Sequence, residues 1–273
     1  MLDDEFQAKQ WPEYVRRLSD RHFGIGSDGV ILVCPSPLGA AFRMRMFNAD
    51  GSEGEMCGNG LRCAVKFALD HSIVAADDKL TVETGRGLME IRVAKSRGLV
   101  SSVQVDMGAP ILQHSKIPAA IESLPPDAVV VGHKFDPARW SLSEEQVEPH
   151  ITLVSMGNPH VILCCKIDPS KINLEAVGPV IETDPWFLPK RINVHLAFYS
   201  RSTATVVRTW ERGSGITLAC GTGASAVLVA GVLLGLCDRA ITTRLPGGDL
   251  EIEWPSDDGS VVMTGPAKHV FSG

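Results

Sequence analysis

Two cysteines stand in matched surroundings. Cys57 opens Cys57-Gly58-Asn59-Gly60, and Cys220 opens Cys220-Gly221-Thr222-Gly223. Each precedes a segment with helical apolar spacing: Leu61, Ala64, Val65, Ala68 and Leu69 after the first, and the almost wholly apolar run Ala224 to Leu236 after the second. A cysteine at a helix start has free backbone N–H groups and the positive end of the macrodipole at its sulfur, so its thiol pKa is expected to fall. The same N–H groups bind carboxylate or phosphate, and glycines let a ligand approach closely. One Cys-Gly-x-Gly is a weak signal, with a Gly-rich turn before a core helix as its bland reading. Two at matched offsets are far more specific.

The elements that must position these cysteines are also duplicated. Asn48 lies nine residues before Cys57, and Glu211 lies nine before Cys220. Downstream, Glu90 and Glu251 follow their cysteines by 33 and 31 residues, and Val105-Asp106-Met107-Gly108 answers Val262-Met263-Thr264-Gly265. Repetition of this kind marks two related halves. Short alternating or β-branched segments between Gly, Pro and Asp predict strands at Phe42 to Met46, Thr81 to Val93, Leu99 to Val105, Ile151 to Cys165, Ser202 to Trp210 and Asp249 to Trp254. The expected fold class is α/β of the α+β kind, with two pseudo-symmetric halves. Each half is a curved, mostly antiparallel sheet or barrel around a central helix, because helices are too few to alternate with strands in a doubly wound sheet. The expected half-domains are residues 1–115 with 262–273, and residues 116–261, with the proline-bearing stretch 113–150 crossing between them.

If such halves pack about a pseudo-twofold axis, the helix starts face one another across a cleft with a sulfur on each side. A thiolate and a thiol so placed take a proton from one face of a carbon and return one to the other. That is racemisation or epimerisation. No metal or cofactor is needed where a substrate carboxylate lies between two helix N-termini whose N–H groups stabilise charge at the α-carbon.

The composition narrows the setting. A chain of 273 residues forms one or two domains with a real core. The net charge of −6, with no Lys/Arg block, gives no footprint for nucleic acid or an anionic membrane. The longest apolar run, the 14 residues Ala224 to Cys237, is too short to span a bilayer. Seven cysteines, an odd count, follow an acidic start (Met1-Leu2-Asp3-Asp4-Glu5) without the features of a signal peptide, so reduced thiols in an intracellular protein are expected.

Beyond the cysteine motifs, the chain carries Gly24-Ile25-Gly26-Ser27-Asp28-Gly29-Val30, Phe47-Asn48-Ala49-Asp50-Gly51-Ser52-Glu53, Met56 before Cys57, Gly157-Asn158-Pro159-His160, Arg191-Ile192-Asn193-Val194 and Trp210-Glu211-Arg212-Gly213-Ser214-Gly215. In order and spacing these resemble the diaminopimelate epimerase family from about residue 18 to the C-terminus. Asn59 favours that family over the related proline racemases, which typically have His there. The resemblance implies cofactor-independent interconversion of LL- and meso-diaminopimelate, for lysine and peptidoglycan supply, with Cys57 and Cys220 as the two acid/base residues. It implies that Gly58, Asn59, Gly221 and Thr222 bind the reacting carboxylate and that Glu211 receives the reacting ammonium. Asn48, Asn158, Asn193 and Arg212 would fix the distal amino-acid end, a role suited to the planar guanidinium fork and to amides that add no net charge. A cytoplasmic enzyme is implied, or a plastid stromal one in a plant or alga; the oligomeric state, a homodimer included, stays open. The family's Gly-Leu-Gly-Asn-Asp-Phe motif has no counterpart, and the repeat puts the partner of Asn158 at about position −5, since Asn158 precedes Cys220 by 62 residues. The expectation is a start placed too late, or a first half without one ligand and one edge strand.

Other readings stand beside this one. They are a proline or hydroxyproline racemase-type enzyme, a redox-sensing pair Cys57–Cys220, and a catalytically impaired homologue acting as a binding protein. His160 is read equally as a cleft residue or as a hydrogen-bonded structural histidine. Asp28 and Asp50 read as turn residues, Cys63 as core, and Met44 and Met46 as one face of a half-buried strand. Cys34, Cys164, Cys165 and Cys237 receive no role.

Overall fold

The computed structural model describes residues 4–54, 57–75, 77–117, 119–121, 124–125 and 127–272, with the backbone alone for 4–10. Met1, Leu2 and Asp3 of the acidic start, Met56 before Cys57, and Pro118 and Pro126 of the proline-bearing stretch lie outside the described residues. Contacts divide the chain into two compact units, Met1–Val105 with Pro266–Gly273, and Asp106–Gly265. The repeat alone puts these boundaries near 115 and 261.

The first unit comprises α1 (Asp4–Ser19), β1 (Gly29–Cys34), β2 (Phe42–Asn48), β3 (Glu53–Gly54), α2 (Gly58–Asp70), β4 (Lys79–Thr84), β5 (Gly87–Ser96) and β6 (Leu99–Asp106). Its strands run in the order β1-β2-β4-β5-β6, with β3 on β2; β2 and β4 pair parallel, and the other described pairs are antiparallel. The stripe Leu61, Ala64, Val65, Ala68 and Leu69 of α2 is buried, as its spacing predicts. The helix packs on β1 and β2. Its far side is tied to β6, where Lys66 Nζ donates to Val100 O at 2.7 Å and Val100 N donates to Asp70 Oδ1 at 2.9 Å. Strands from both ends of the order therefore reach α2, and the sheet curls around it. Ser72, at φ 55°, closes the helix, and Ile73 N donates back to Ala68 O at 2.8 Å.

Helix α1 has no counterpart among the sequence-based elements. Pro12 inside it removes a donor and argues against helix. Packing supplies the reason it forms: Val15 is fully buried, Trp11 stacks on Phe47 of β2, and the helix lies on β1 and β2.

The second unit comprises β7 (His133–Lys134), β8 (Val147–Ser155), β9 (Pro159–Cys165), α3 (Leu174–Glu182), β10 (Asn193–Arg201), β11 (Ala204–Glu211), β12 (Gly215–Thr217), α4 (Gly221–Leu233), β13 (Ala240–Leu245), β14 (Gly248–Glu253) and β15 (Val262–Pro266). The order is β15-β14-β13-β11-β10-β9-β8-β7, with β12 on β11. Pairs β9–β10 and β11–β13 are parallel in an otherwise antiparallel ladder. Helix α4 is apolar all round because it is wrapped: it touches β8, β9 and β10 on one side and β13 and β14 on the other. Each Val or Leu so buried contributes roughly 1.5–3 kcal/mol. Gly235, at φ +70°, ends the helix. The stretch 113–150, read as a crossover between the halves, carries β7 and short 3-10 turns and falls within this unit. No described helix is long and apolar enough to cross a membrane.

Candidate active site

In the first unit, Cys57 caps α2, with extended backbone (φ −138°) and Sγ accepting from Gly60 N at 3.5 Å. A Cβ on Gly60 would come within 2.6 Å of the terminal methyl of Ile31 on β1, so the two residues pack closely. Beneath the cap lies Arg62, only 7% exposed. Its guanidinium donates to Asn59 Oδ1 at 2.8 Å, to Gly58 O at 3.3 Å and to Pro266 O at 3.2 Å. Burial pulls the Arg62 pKa down from its ordinary value, while Cys63 and Cys57 pull it up. Arg62 thus orients the Asn59 amide and ties the motif to the C-terminal segment; the cysteine motif itself gave no hint of it.

Asn48 closes the turn after β2. Its Nδ2 donates to Ser52 Oγ at 3.0 Å, and Asp50 accepts from Ser52 N and Oγ at 2.8 and 2.6 Å. Asp50 is a turn residue, and so is Asp28, exposed and paired with Arg21 at 2.7 Å. Cys63 corrects its expected place in the core. It is exposed, because it falls off the stripe that Leu61, Ala64 and Val65 turn inward.

In the second unit, Cys220 stands before α4 and is 5% exposed. Here the expected fall in thiol pKa does not occur: burial and then the Glu211 carboxylate push it up to about 12, against a smaller opposing effect of the Thr222 hydroxyl. The helix-start effect is real but local, and desolvation outweighs it. Glu211, at the end of β11, accepts from Thr217 Oγ1 at 2.6 Å. Thr222 Oγ1 lies 3.5 Å from Cys220 Sγ and accepts from Asn158 Nδ2 at 3.3 Å. His160 is fully buried, with Nε2 3.0 Å from Asn158 Oδ1. Gly221 O accepts from Ser225 Oγ at 3.0 Å.

Asn193, 3% exposed, has both ends of its amide engaged: Nδ2 donates to Pro159 O at 2.9 Å, and Oδ1 accepts from Arg212 N at 3.0 Å. Arg212 is exposed and donates to Lys190 O at 2.8 Å. The turn carrying it hangs on a residue absent from the sequence-based set. Buried Glu182 accepts from Trp210 Nε1 at 2.6 Å, Gly213 N at 3.0 Å and Arg191 Nη1 at 3.2 Å. The structure therefore gathers Asn158, His160, Glu211 and Thr222 on the side of the Cys220 thiol, and Asn193 and Glu182 behind Arg212. It gathers Asn59 and Arg62 at the other thiol.

Solved structures define the class of fold. The chain matches the Bacillus anthracis phenazine biosynthesis protein of the PhzF family with TM-score 0.65 at 16% identity, over 97% of this chain and 86% of that one. It matches a hydroxyproline epimerase from Agrobacterium vitis with TM-score 0.62 at 14% identity, over 92% and 76%. All share an α+β fold with a mostly antiparallel mixed sheet. The profile of the family described as diaminopimelate epimerase matches residues 1–113 and 152–270. The diaminopimelate epimerase of Geobacillus kaustophilus is 48% identical over 276 residues, covering 100% of this chain and 90% of the relative. That of Leptospira biflexa is 45% identical over 264 residues, covering 96% and 89%. The chain belongs to the diaminopimelate epimerase family.

Proposed function

We propose that the protein interconverts LL- and meso-2,6-diaminopimelate in the cytoplasm, supplying lysine and peptidoglycan synthesis, with Cys57 and Cys220 as its two acid/base groups. The carrying observation is the same cysteine at the same helix start in each unit, within a chain of this family. In one direction the Cys57 thiolate removes the α-proton and becomes a thiol. The electron pair left on carbon is stabilised through the carboxylate by N–H groups of residues 58, 59, 221 and 222. The Cys220 thiol then delivers a proton to the opposite face and becomes a thiolate. The reverse direction begins from the swapped protonation states, and nothing is oxidised or reduced.

Burial and Glu211 suit Cys220 to rest as the thiol, ready to donate. A substrate ammonium on Glu211 neutralises the charge that disfavours the Cys220 thiolate, so substrate binding itself eases the transfer. Arg212, with Asn158 and Asn48, takes the distal end, and Asn193 acts by holding the Arg212 backbone in place. The test is chiral separation of product from purified LL-diaminopimelate, with free proline as control. Meso product with untouched proline supports the reading; racemised proline with untouched diaminopimelate overturns it.

A further inference from the structure

Behind Asn158, the hydrogen-bond path continues into the core. His160 Nδ1 lies 2.9 Å from His195 Nε2, and His195 Nδ1 lies 3.0 Å from Thr209 Oγ1. The sheet sets this up. Strands β9 and β10 run parallel with Asn193 opposite His160, and β11 pairs antiparallel with β10 so that Thr209 faces His195. Alternation puts Asn193 and His195 on one face of β10. That face lies under the start of α4, where a Cβ on Gly223 would overlap the His195 ring. The last position of Cys-Gly-Thr-Gly, Gly223, is glycine because an imidazole occupies the space.

We infer that His195 is a positioning residue for the Cys220 thiol, acting through His160, Asn158 and Thr222. The inference rests on the acid/base role proposed for Cys220. Its logic is the direction of each bond. Asn158 Oδ1 has no hydrogen to give, so His160 carries its hydrogen on Nε2 and presents a bare Nδ1. A bare nitrogen accepts, so His195 donates from Nε2, and its own Nδ1 accepts the Thr209 hydroxyl hydrogen. With its oxygen turned to His160, Asn158 presents its amide N–H to Thr222 Oγ1. The Thr222 hydroxyl hydrogen is then left to point at Cys220 Sγ whenever that sulfur is a thiolate. One imidazole in the core thus decides which way a hydroxyl faces beside the thiol.

Both rings are fully buried. Burial lowers the His195 pKa to about 3, and burial with the neighbouring His195 holds His160 well below its ordinary value. Neutral rings are the form the bond directions require.

The experiment is long-range 1H–15N correlation on the whole protein labelled with 15N-histidine, paired with steady-state kinetics on diaminopimelate. The expected spectrum shows both His160 and His195 neutral and protonated on Nε2; a His160 hydrogen on Nδ1, or an imidazolium, overturns the inference. His195→Leu is expected to lower kcat roughly five- to tenfold with KM little changed. His195→Gln, whose side-chain N–H can still donate to His160, restores most of it. A folded His195→Leu with the parent kcat overturns the inference. Should His195→Leu fail to fold, Thr209→Val must show a smaller kcat loss in the same sense, and parent kcat there overturns it equally. A parent protein that converts no diaminopimelate refutes the proposed function instead, and the spectrum still decides the bond directions.

Discussion

Replacing Gly223 with Ala sets a local preference against a packed ring. Helix propensity favours alanine by up to about 1 kcal/mol. The new Cβ, however, overlaps His195, whose two nitrogens are held at 2.9 and 3.0 Å by His160 and Thr209. Forcing a methyl group into a well-packed site costs roughly 1–3 kcal/mol. Shifting the ring breaks its hydrogen bonds in a buried place, a further penalty of roughly 1–3 kcal/mol. The net is a destabilisation of about 3 kcal/mol, or roughly 6–12 °C in Tm for a chain of this size. Denaturant melts of the two single variants and the double variant isolate the cause. In a His195→Ala background the ring is gone, so Gly223→Ala should be neutral within about 0.5 kcal/mol, giving a coupling of roughly 2–3 kcal/mol. Equal destabilisation of both backgrounds, or a parent-like Gly223→Ala, would refute the close-packing argument.

Other outcomes follow from the same geometry. Glu182→Gln leaves one acceptor oxygen for three donors, and should lower stability by roughly 2–3 kcal/mol and quicken tryptic cleavage after Arg212; unchanged melting and proteolysis would remove it as the anchor of that turn. Burial alone would raise the Asp184 pKa, but the Arg139 side chain, Trp186 N–H and Trp140 indole N–H hold it below 3.8. Its contribution is therefore complete above the unfolded value and lost as pH falls through the folded one, so acid unfolding should flatten below about pH 4 in Asp184→Asn; an unaltered slope contradicts this. Cys220 is 5% exposed, and burial with the Glu211 carboxylate pushes its pKa up to about 12, so iodoacetamide should spare it in the free protein; rapid alkylation mapped to Cys220 would contradict its burial. Arg212→Ala should lower kcat/KM for diaminopimelate through lost distal-carboxylate binding; an unchanged constant removes it from the site.

What the sequence made legible is what depends on near neighbours. The stripe of α2, the all-apolar α4 and the alternating strands are local patterns, and they recur in the structure at their expected positions. Helices α1 and α3 are masked by Pro12 and by Gly178-Pro179, and tertiary packing overrides propensity in both: Trp11 and Val15 anchor one, and Trp210 lies where a Gly178 Cβ would be. The open position of Cys63 is legible in the same pattern, since its offset from the α2 stripe turns it away from the core. The Cys220 pKa was not readable, because the helix-start effect is written in adjacent residues while desolvation and Glu211 arrive through the sheet. His195 was invisible for the same reason: between Val194 and Leu196 it reads as part of an apolar strand, and its partner is 35 residues away on a parallel neighbour.

The two-cysteine account is tested most directly by α-proton exchange in D₂O under reducing conditions, with LL- and meso-diaminopimelate supplied separately to the parent protein, Cys57→Ala and Cys220→Ala. The account predicts deuterium at the α-carbon with inversion in the parent. In each variant epimerisation is lost, with at most residual exchange from the face served by the remaining thiol. Continued inversion in Cys220→Ala or Cys57→Ala would contradict it.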